Sequence, residues 1–421
     1  MYQKTNVKLD NLLLSMSDTL DLAIPDLNQH QMRTAFIAQH VGKRAGLTPE
    51  NEINLFIASL MHDIGALSPE EKLDVKQIEI ENTEEHCILG EKLLQRVEIF
   101  KSAATIIRFH HTKWSEVQNR LDPQMALCSQ IIMLADYIER KTARDKFILH
   151  QDKLLIEYAN SLAGEFIKPE LVQIFTSISK YEEFWLDLTS SRLYSLLLSY
   201  GIGRHISIEM TQMLDISEMF RDMIDFRSRF TATHSSGVAA TAATLSKMFG
   251  FTESEVELME VAGNFHDIGK MIIPNSILEK PGKLTAEEFA VMKQHTYYTY
   301  SVLNSIGGIN LIAEWAAFHH ERLDGTGYPF HVTSKELSVK SRIMAVADIF
   351  TALAEERPYR KPLSEQEVLS IIMTYGQKNW LDKSIVEVLK KNYGEIVDIT
   401  RKKQAVTKDY YEREFSSGLI K

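Results

Sequence analysis

Residues 55–67, LFIASLMHDIGAL, and residues 258–271, LMEVAGNFHDIGKM, end two apolar runs on the same His-Asp pair, His62-Asp63 and His266-Asp267. Working outward, another histidine stands 32 residues upstream of each pair, His30 in one case and His234 in the other. Downstream come His86 and His295, each followed 24 residues later by a His-His doublet, His110-His111 and His319-His320. Both series close on an apolar run ending in Ala-Asp, IIMLADYIE around Asp136 and IMAVADIFT around Asp348. The offset between the series drifts only from 204 to 212, so the chain reads as two copies of one unit, 1–200 and 201–421. Ser199-Tyr200-Gly201-Ile202-Gly203 is the candidate linker.

The spacing around these residues is helical. Val256, Met259, Glu260 and Gly263 fall at three- and four-residue steps before His266, and Thr285 reads as an N-cap ahead of an acidic first turn. Pro274, Pro281 and Gly282 break the pattern into a loop after Lys270. A helix is predicted over Leu311–His320, ended by the turn-rich Asp324-Gly325-Thr326-Gly327-Tyr328-Pro329. Ten prolines and 19 glycines in 421 residues favour long helices, and the fold predicted is all-α, two tandem helical domains. A net charge of −10 excludes a sequence-independent grip on polymeric nucleic acid, which takes a basic surface, but not a small anionic ligand. Cys87 and Cys128 sit in apolar helical stretches, so buried thiols are expected rather than disulfides or a thiolate metal site. Residues 1–10 carry no secretory pattern, and no apolar stretch reaches the roughly 20 residues of a membrane span. A cytoplasmic location without membrane contact is expected.

Ten of the 14 histidines belong to the two aligned series. Neutral imidazoles and carboxylates without thiolates suit borderline divalent ions such as Fe, Mn, Co, Ni or Zn. An adjacent His-Asp pair lets the Asp offer one oxygen to each of two ions while the His serves one. Two ions about 3.5–4 Å apart clamp the oxygens of an in-line phosphoryl displacement. A lysine four residues after the histidine, Lys270, is placed to neutralise phosphate charge; Ala66 holds that position in the first copy.

The second copy resembles an HD-GYP domain, the branch of the HD metal-dependent phosphohydrolases that linearises cyclic dinucleotides such as cyclic di-GMP and 3′,3′-cyclic GMP-AMP. The residues carrying the resemblance are His234-Ser235, His266-Asp267-Ile268-Gly269-Lys270, Ile273-Pro274, Lys280-Pro281-Gly282, His295, the run His319 to Pro329, Asp348, and Arg357-Pro358-Tyr359-Arg360. The resemblance implies a metal-dependent phosphodiesterase with a water-derived nucleophile and a 5′-phosphorylated linear product. It also implies His234, His266, Asp267 and Asp348 around one ion, with Asp267 bridging, and His295, His319 and His320 around the other. Lys270, Arg357 and Arg360 match phosphate-contacting positions, and the Gly327-Tyr328-Pro329 region is linked to homodimer or signalling-protein contacts. Members with a third ion carry a glutamate where Phe230 stands, so two ions are expected, Fe or Mn first, with Ni, Co and Zn also suitable.

Two further departures, Thr299 and Thr351, replace a usual glycine and aspartate and bear on substrate fit. Glu321 is read either as an acceptor that holds a ligand histidine or as a solvent-facing residue. The first copy resembles an HD domain without the GYP loop, and His30, His62, Asp63, His86, His110, His111 and Asp136 preserve its ligand positions, with Asp26 opposite Phe230. Metal in this copy, and removal of the 5′-phosphate of a linear product, are the corresponding expectations. The alternatives are a copy without activity, a chain that senses a cyclic dinucleotide without turnover, and a plain nucleotide phosphomonoesterase.

Overall fold

The computed structural model describes residues 7–22, 28–67, 83–227, 232–355 and 362–415. They form two compact units that meet in sequence at Ile208 and Glu209. Both are helical. The strands among the described residues are β1 (Val7–Lys8) and β2 (Ser207–Ile208), paired antiparallel with Val7 opposite Ile208, which tie together the two ends of the first unit. The glycine-rich stretch 199–203 turns ahead of β2, with Gly201 and Gly203 at φ of 66° and 76°, so the break between units follows it at 208/209.

The first unit runs through α1 (Leu9–Leu22), α2 (His30–Gly42), α3 (Pro49–Met61), α4 (Thr83–Leu94), α5 (Lys101–Arg108) and α6 (Pro123–Lys141), followed by further helices up to Ser199. The second repeats the order with α7 (Met210–Asp225), α8 (His234–Met248), α9 (Glu253–Phe265), α10 (Gln294–Ile306), α11 (Asn310–Ala317) and α12 (Val339–Ala354). A long α13 (Tyr393–Glu414) closes it against α8. No described helix is long and apolar enough to cross a membrane.

Several helix starts are written locally. Thr48 with Pro49, Asp122 with Pro123, Ser338, and the Thr252/Glu255 capping box each satisfy amide groups that the first turn leaves open. Thr285 does the same with Glu288 for the short helix Ala286–Met292, as its sequence predicts. By contrast, α2 and α8 are capped from a distance. The carboxylates of Asp21 and Asp225 accept the N–H of Gln31 and Ser235, ten residues ahead, at 2.9 Å in both units. Ser235 Oγ donates a second bond to Asp225. That device sets His30 and His234 as the first residues of their helices.

The helix α8 is the centre of the second unit and packs on α9, α12 and α13. Its small residues, Gly237, Ala239 and Ala240 among them, permit close approach. At Gly263 of α9 an added Cβ would stand 2.4 Å from the Cα of Ala239. The predicted helix over Leu311–His320 is α11 followed by a tighter 3₁₀ turn, Phe318–His320, which carries both histidines of the doublet. Gly263→Ala is expected to lower the stability of the second unit by about 1–3 kcal/mol, read as an earlier urea midpoint by circular dichroism. An unchanged midpoint would mean that α8 and α9 separate without penalty.

Candidate metal centres

In the second unit five structural elements deliver the seven residues singled out from the sequence. His234 opens α8, and His266-Asp267 follow α9 as the chain enters a 3₁₀ turn, Ile268–Ile272. His295 lies in the first turn of α10, His319 and His320 follow α11, and Asp348 lies on the inner face of α12. They converge as two trios, His234/His266/Asp348 and His295/His319/His320. Within the first trio His234 Nε2 is 3.3 Å from Asp348 Oδ1; within the second His295 Nε2 is 3.2 Å from His319 Nε2. Asp267 reaches both: its Oδ2 is 3.1 Å from His266 Nε2, while Oδ1 is 3.5 Å from His295 Nε2 and 3.9 Å from His319 Nε2. Donor atoms that share one ion at about 2.0–2.2 Å stand roughly 3–3.5 Å apart, so these spacings fit cations between them.

The second ring nitrogen of four of the five histidines is committed elsewhere, while His320 Nδ1 faces Asp348 Oδ2 at 3.7 Å. Nδ1–H of His266, His295 and His319 donates to the carbonyl three residues back, of Gly263, Met292 and Ala316, at 2.7–2.8 Å. His234 Nδ1 donates to Glu355 at 2.9 Å. Each Nε2 therefore presents a lone pair inward, and His266 Nε2 is buried with no hydrogen-bond partner. Burial pushes His295 down to about 3 and lowers His319 and His320 as well. Burial alone would raise the two aspartates. The surrounding imidazoles outweigh it, with Lys270 adding to the effect at Asp267, and both carboxyls lie well below their ordinary range. Neutral imidazoles facing anionic carboxylates is the protonation state a divalent ion needs. Lys270 Nζ rests 2.5 Å from Asp267 Oδ2 with its side chain 22% exposed. Arg357, Arg360 and Phe230 of the second unit, and Asp26 of the first, lie outside the described residues.

Neighbouring residues explain the shape of this cluster and revise the sequence expectation for Glu321. Gly269 permits the His-Asp turn to touch α10, since a Cβ there would stand 1.9 Å from the His295 carbonyl oxygen; Gly65 meets His86 in the same way at 2.0 Å. Thr299 is buried, and its Oγ1 donates to the His266 carbonyl at 3.0 Å and accepts from Gly269 N–H at 3.1 Å. Thr351 packs against Thr241 between helices, and Glu355, one turn further on, supplies the carboxylate for His234. Glu321 neither orients a histidine nor faces solvent. It is buried and accepts the N–H groups of Phe330 and His331, which pins the loop after Gly327-Tyr328-Pro329. Tyr328 of that loop lies 5.0 Å, centroid to centroid, from the His320 ring. Arg227, unremarked in the sequence, donates to the carbonyls of Lys270 and Ile273 and holds the segment after the His-Asp turn.

The first unit gathers its seven residues too. His30 Nε2 is 3.2 Å from His62 Nε2 and 3.3 Å from both Asp63 and Asp136, and His86 Nε2 is 3.4 Å from His110 Nε2. His111 stacks beside His110 with ring centroids 4.0 Å apart. Two residues have no equivalent in the second unit. Arg140 donates to Asp136 at 2.5 Å and lies 3.5 Å from Asp63, with its side chain 2% exposed. Cys87, expected as plain core, is buried, but its sulfur stands 3.6 Å from His86 Nε2 and 3.5 Å from His110 Nδ1. Glu139 holds His30 Nδ1 at 2.5 Å and is itself paired with Arg144. Cys87, Glu139 and Arg140 follow a motif residue by one, three and four positions, and ionisable side chains so near buried ligand-type residues were the available signal.

Two sequence models of the HD domain match the chain, one over residues 28–141 and the other over 218–385. The chain contains two HD domains. Over 92% of its length it is 28% identical to 3′3′-cGAMP-specific phosphodiesterase 1 of Vibrio cholerae, covering 92% of that protein. It is 25% identical to 3′3′-cGAMP-specific phosphodiesterase 3 of the same organism, over 91% of this chain and 94% of the relative. A cyclic di-GMP phosphodiesterase of Thermotoga maritima matches at 34% identity over 46% of this chain and 52% of its own. The crystal structure of a cyclic GMP-AMP specific phosphodiesterase of V. cholerae superposes with a TM-score of 0.63 at 21% identity, over 92% of this chain and 98% of that one, a likeness of fold. Each HD unit gathers its seven residues in one cluster, and the C-terminal cluster is the more open of the two. Glu355→Ala is expected to weaken divalent-ion affinity of the C-terminal HD unit about 10–100-fold, measured by competition with a chromogenic chelator. Unchanged affinity would mean that Glu355 does not orient His234.

Proposed function

We propose that the C-terminal HD unit hydrolyses one phosphodiester of a cyclic dinucleotide, as the HD-GYP branch does. The observation that carries the reading is the convergence of two donor trios on Asp267 beside a part-exposed Lys270. The donor set suits two divalent ions, Fe or Mn first, with Ni, Co and Zn as alternates. When bound, they supply Lewis acidity and a nucleophilic water at neutral pH. His234, His266 and Asp348 would hold one ion and His295, His319 and His320 the other, with Asp267 between. The backbone carbonyls and Glu355 fix the tautomer of the imidazoles they hold and aim Nε2 inward. Lys270 Nζ offsets charge on the non-bridging oxygens as it grows. Water oxygen bonds to phosphorus, the bond from phosphorus to the 3′ oxygen breaks, and that oxygen leaves with a proton. The phosphate stays on the 5′ oxygen of a linear product, and the second bridge remains intact. The preferred substrate proposed is 3′,3′-cyclic GMP-AMP, because relatives named for it align over nine-tenths of this chain, against under half for the T. maritima cyclic di-GMP enzyme.

Removal of the 5′-phosphate by the N-terminal unit is not adopted, although its seven residues do gather. Arg140 already covers Asp63 and Asp136, and at 2% exposure it offers no open face to a substrate phosphate.

Purified chain supplied with Mn²⁺ or Fe²⁺ and given both cyclic dinucleotides is expected to yield linear 5′-phosphorylated product, faster from cyclic GMP-AMP, and to stop with EDTA. Lys270→Ala should lower kcat about 10²–10³-fold with helicity unchanged. Asp63→Ala should leave linearisation and phosphate release as they were. No linear product from either dinucleotide would point to a sensor instead. Turnover of phosphomonoesters alone would point to a nucleotide monoesterase.

A further inference from the structure

The N-terminal HD cluster contains a positive charge of its own. Arg140 sits four residues after Asp136 on α6, one turn along the same face, and its guanidinium lies against both carboxylates of the cluster, at 2.5 Å from Asp136 Oδ1 and 3.5 Å from Asp63 Oδ2. Those are the oxygens that also face His30, each at 3.3 Å. In the C-terminal unit the corresponding position four residues after Asp348 is Ala352, and the cation there is Lys270, part-exposed and on a turn. A side chain that can move aside has thus been exchanged for one packed into the interior. A divalent ion on His30, His62, Asp63 and Asp136 would have to share its carboxylates with a buried guanidinium that cannot lose its proton. The family's two-ion centre does not fit this half of the cluster.

The other half differs in the opposite sense. Cys87 replaces Thr296 of the C-terminal copy and stands with His86, His110 and His111 as a group of four ligand-type side chains. His86 Nδ1 and both ring nitrogens of His111 are buried without hydrogen-bond partners, while His110 Nδ1 is committed to the Ile107 carbonyl. Three imidazoles and a thiol form a donor set for a thiophilic ion, and the ion would take the thiol as thiolate with release of its proton.

We infer that the N-terminal HD unit is a single-ion centre, in which Arg140 stands in for one cation at Asp63 and Asp136 and one Zn²⁺- or Co²⁺-class ion occupies His86, Cys87, His110 and His111. The inference concerns this unit alone and holds whether or not the C-terminal unit opens a cyclic dinucleotide.

Cobalt is the probe. Full-length chain with His266→Ala and His319→Ala, which remove a member of every C-terminal donor group, is dialysed against Co²⁺ and the bound metal counted. One equivalent is expected, with a thiolate-to-cobalt charge-transfer band in the near ultraviolet that Cys87→Ser abolishes. Adding Arg140→Ala should raise the count to two, whereas Arg140→Lys, which keeps the charge, should leave it at one. None or two equivalents with Arg140 in place, a band insensitive to Cys87→Ser, or a count unmoved by Arg140→Ala overturns the inference. Should Arg140→Ala fail to fold, an anomalous-scattering map of the unaltered chain at the cobalt edge decides the matter. A single N-terminal peak beside Cys87 supports it, and a peak between His30, His62 and Asp136 overturns it.

Discussion

Four of the five inward-facing imidazoles of the C-terminal unit have their Nδ1–H tied down before any ligand arrives, to a carbonyl three residues back or, for His234, to Glu355. The rest of the site depends on this constraint. A histidine so held has its tautomer fixed with Nε2 as the lone-pair nitrogen, and burial favours that neutral form. Because the carbonyl belongs to the same helix end as the histidine, the orientation is local; in the first copy His62 and His110 use Ser59 and Ile107 in the same way, whereas His86 Nδ1 has no hydrogen-bond partner. The helices then have only to bring the ends together. The distant caps on α2 and α8 and the glycines that let the His-Asp turn touch the next helix accomplish that.

A pocket that gathers neutral imidazoles and anionic carboxylates away from water is unfavourable without a cation to compensate. The two units meet that requirement differently. In the C-terminal unit the compensating charge is Lys270, part-exposed and able to leave Asp267 to other partners. In the N-terminal unit it is Arg140, buried and shared by Asp63 and Asp136, together with His30, which burial lowers but Glu139, Asp63 and Asp136 push up to about 10. One framework thus supports an open site in one copy and a closed one in the other, and the divergence rests on side chains beside the motif rather than in it.

The HD repeat was legible because metal-type residues recur in the same order at nearly constant spacing, and helix ends were legible where the cap is local, as at Thr252 and Thr285. Residues acting across the fold were not. Glu355 lies a full turn beyond the position where a carboxylate was looked for, and only the path of α12 brings it to His234. Thr299 and Glu321, read as neighbours of substrate or ligand, are tied to backbone groups instead. Cys87 read as core because a buried thiol and a thiol beside imidazoles look alike in a helical pattern.

By itself the sequence determined the helical class, the duplication, and which histidines and aspartates would meet, since order and spacing along helices are properties of the chain. The tertiary structure alone decided the charge inside each cluster and how far it opens to water. Those depend on which side chains from other turns fill the remaining space, Lys270 and Glu355 in one copy, Arg140 and Glu139 in the other.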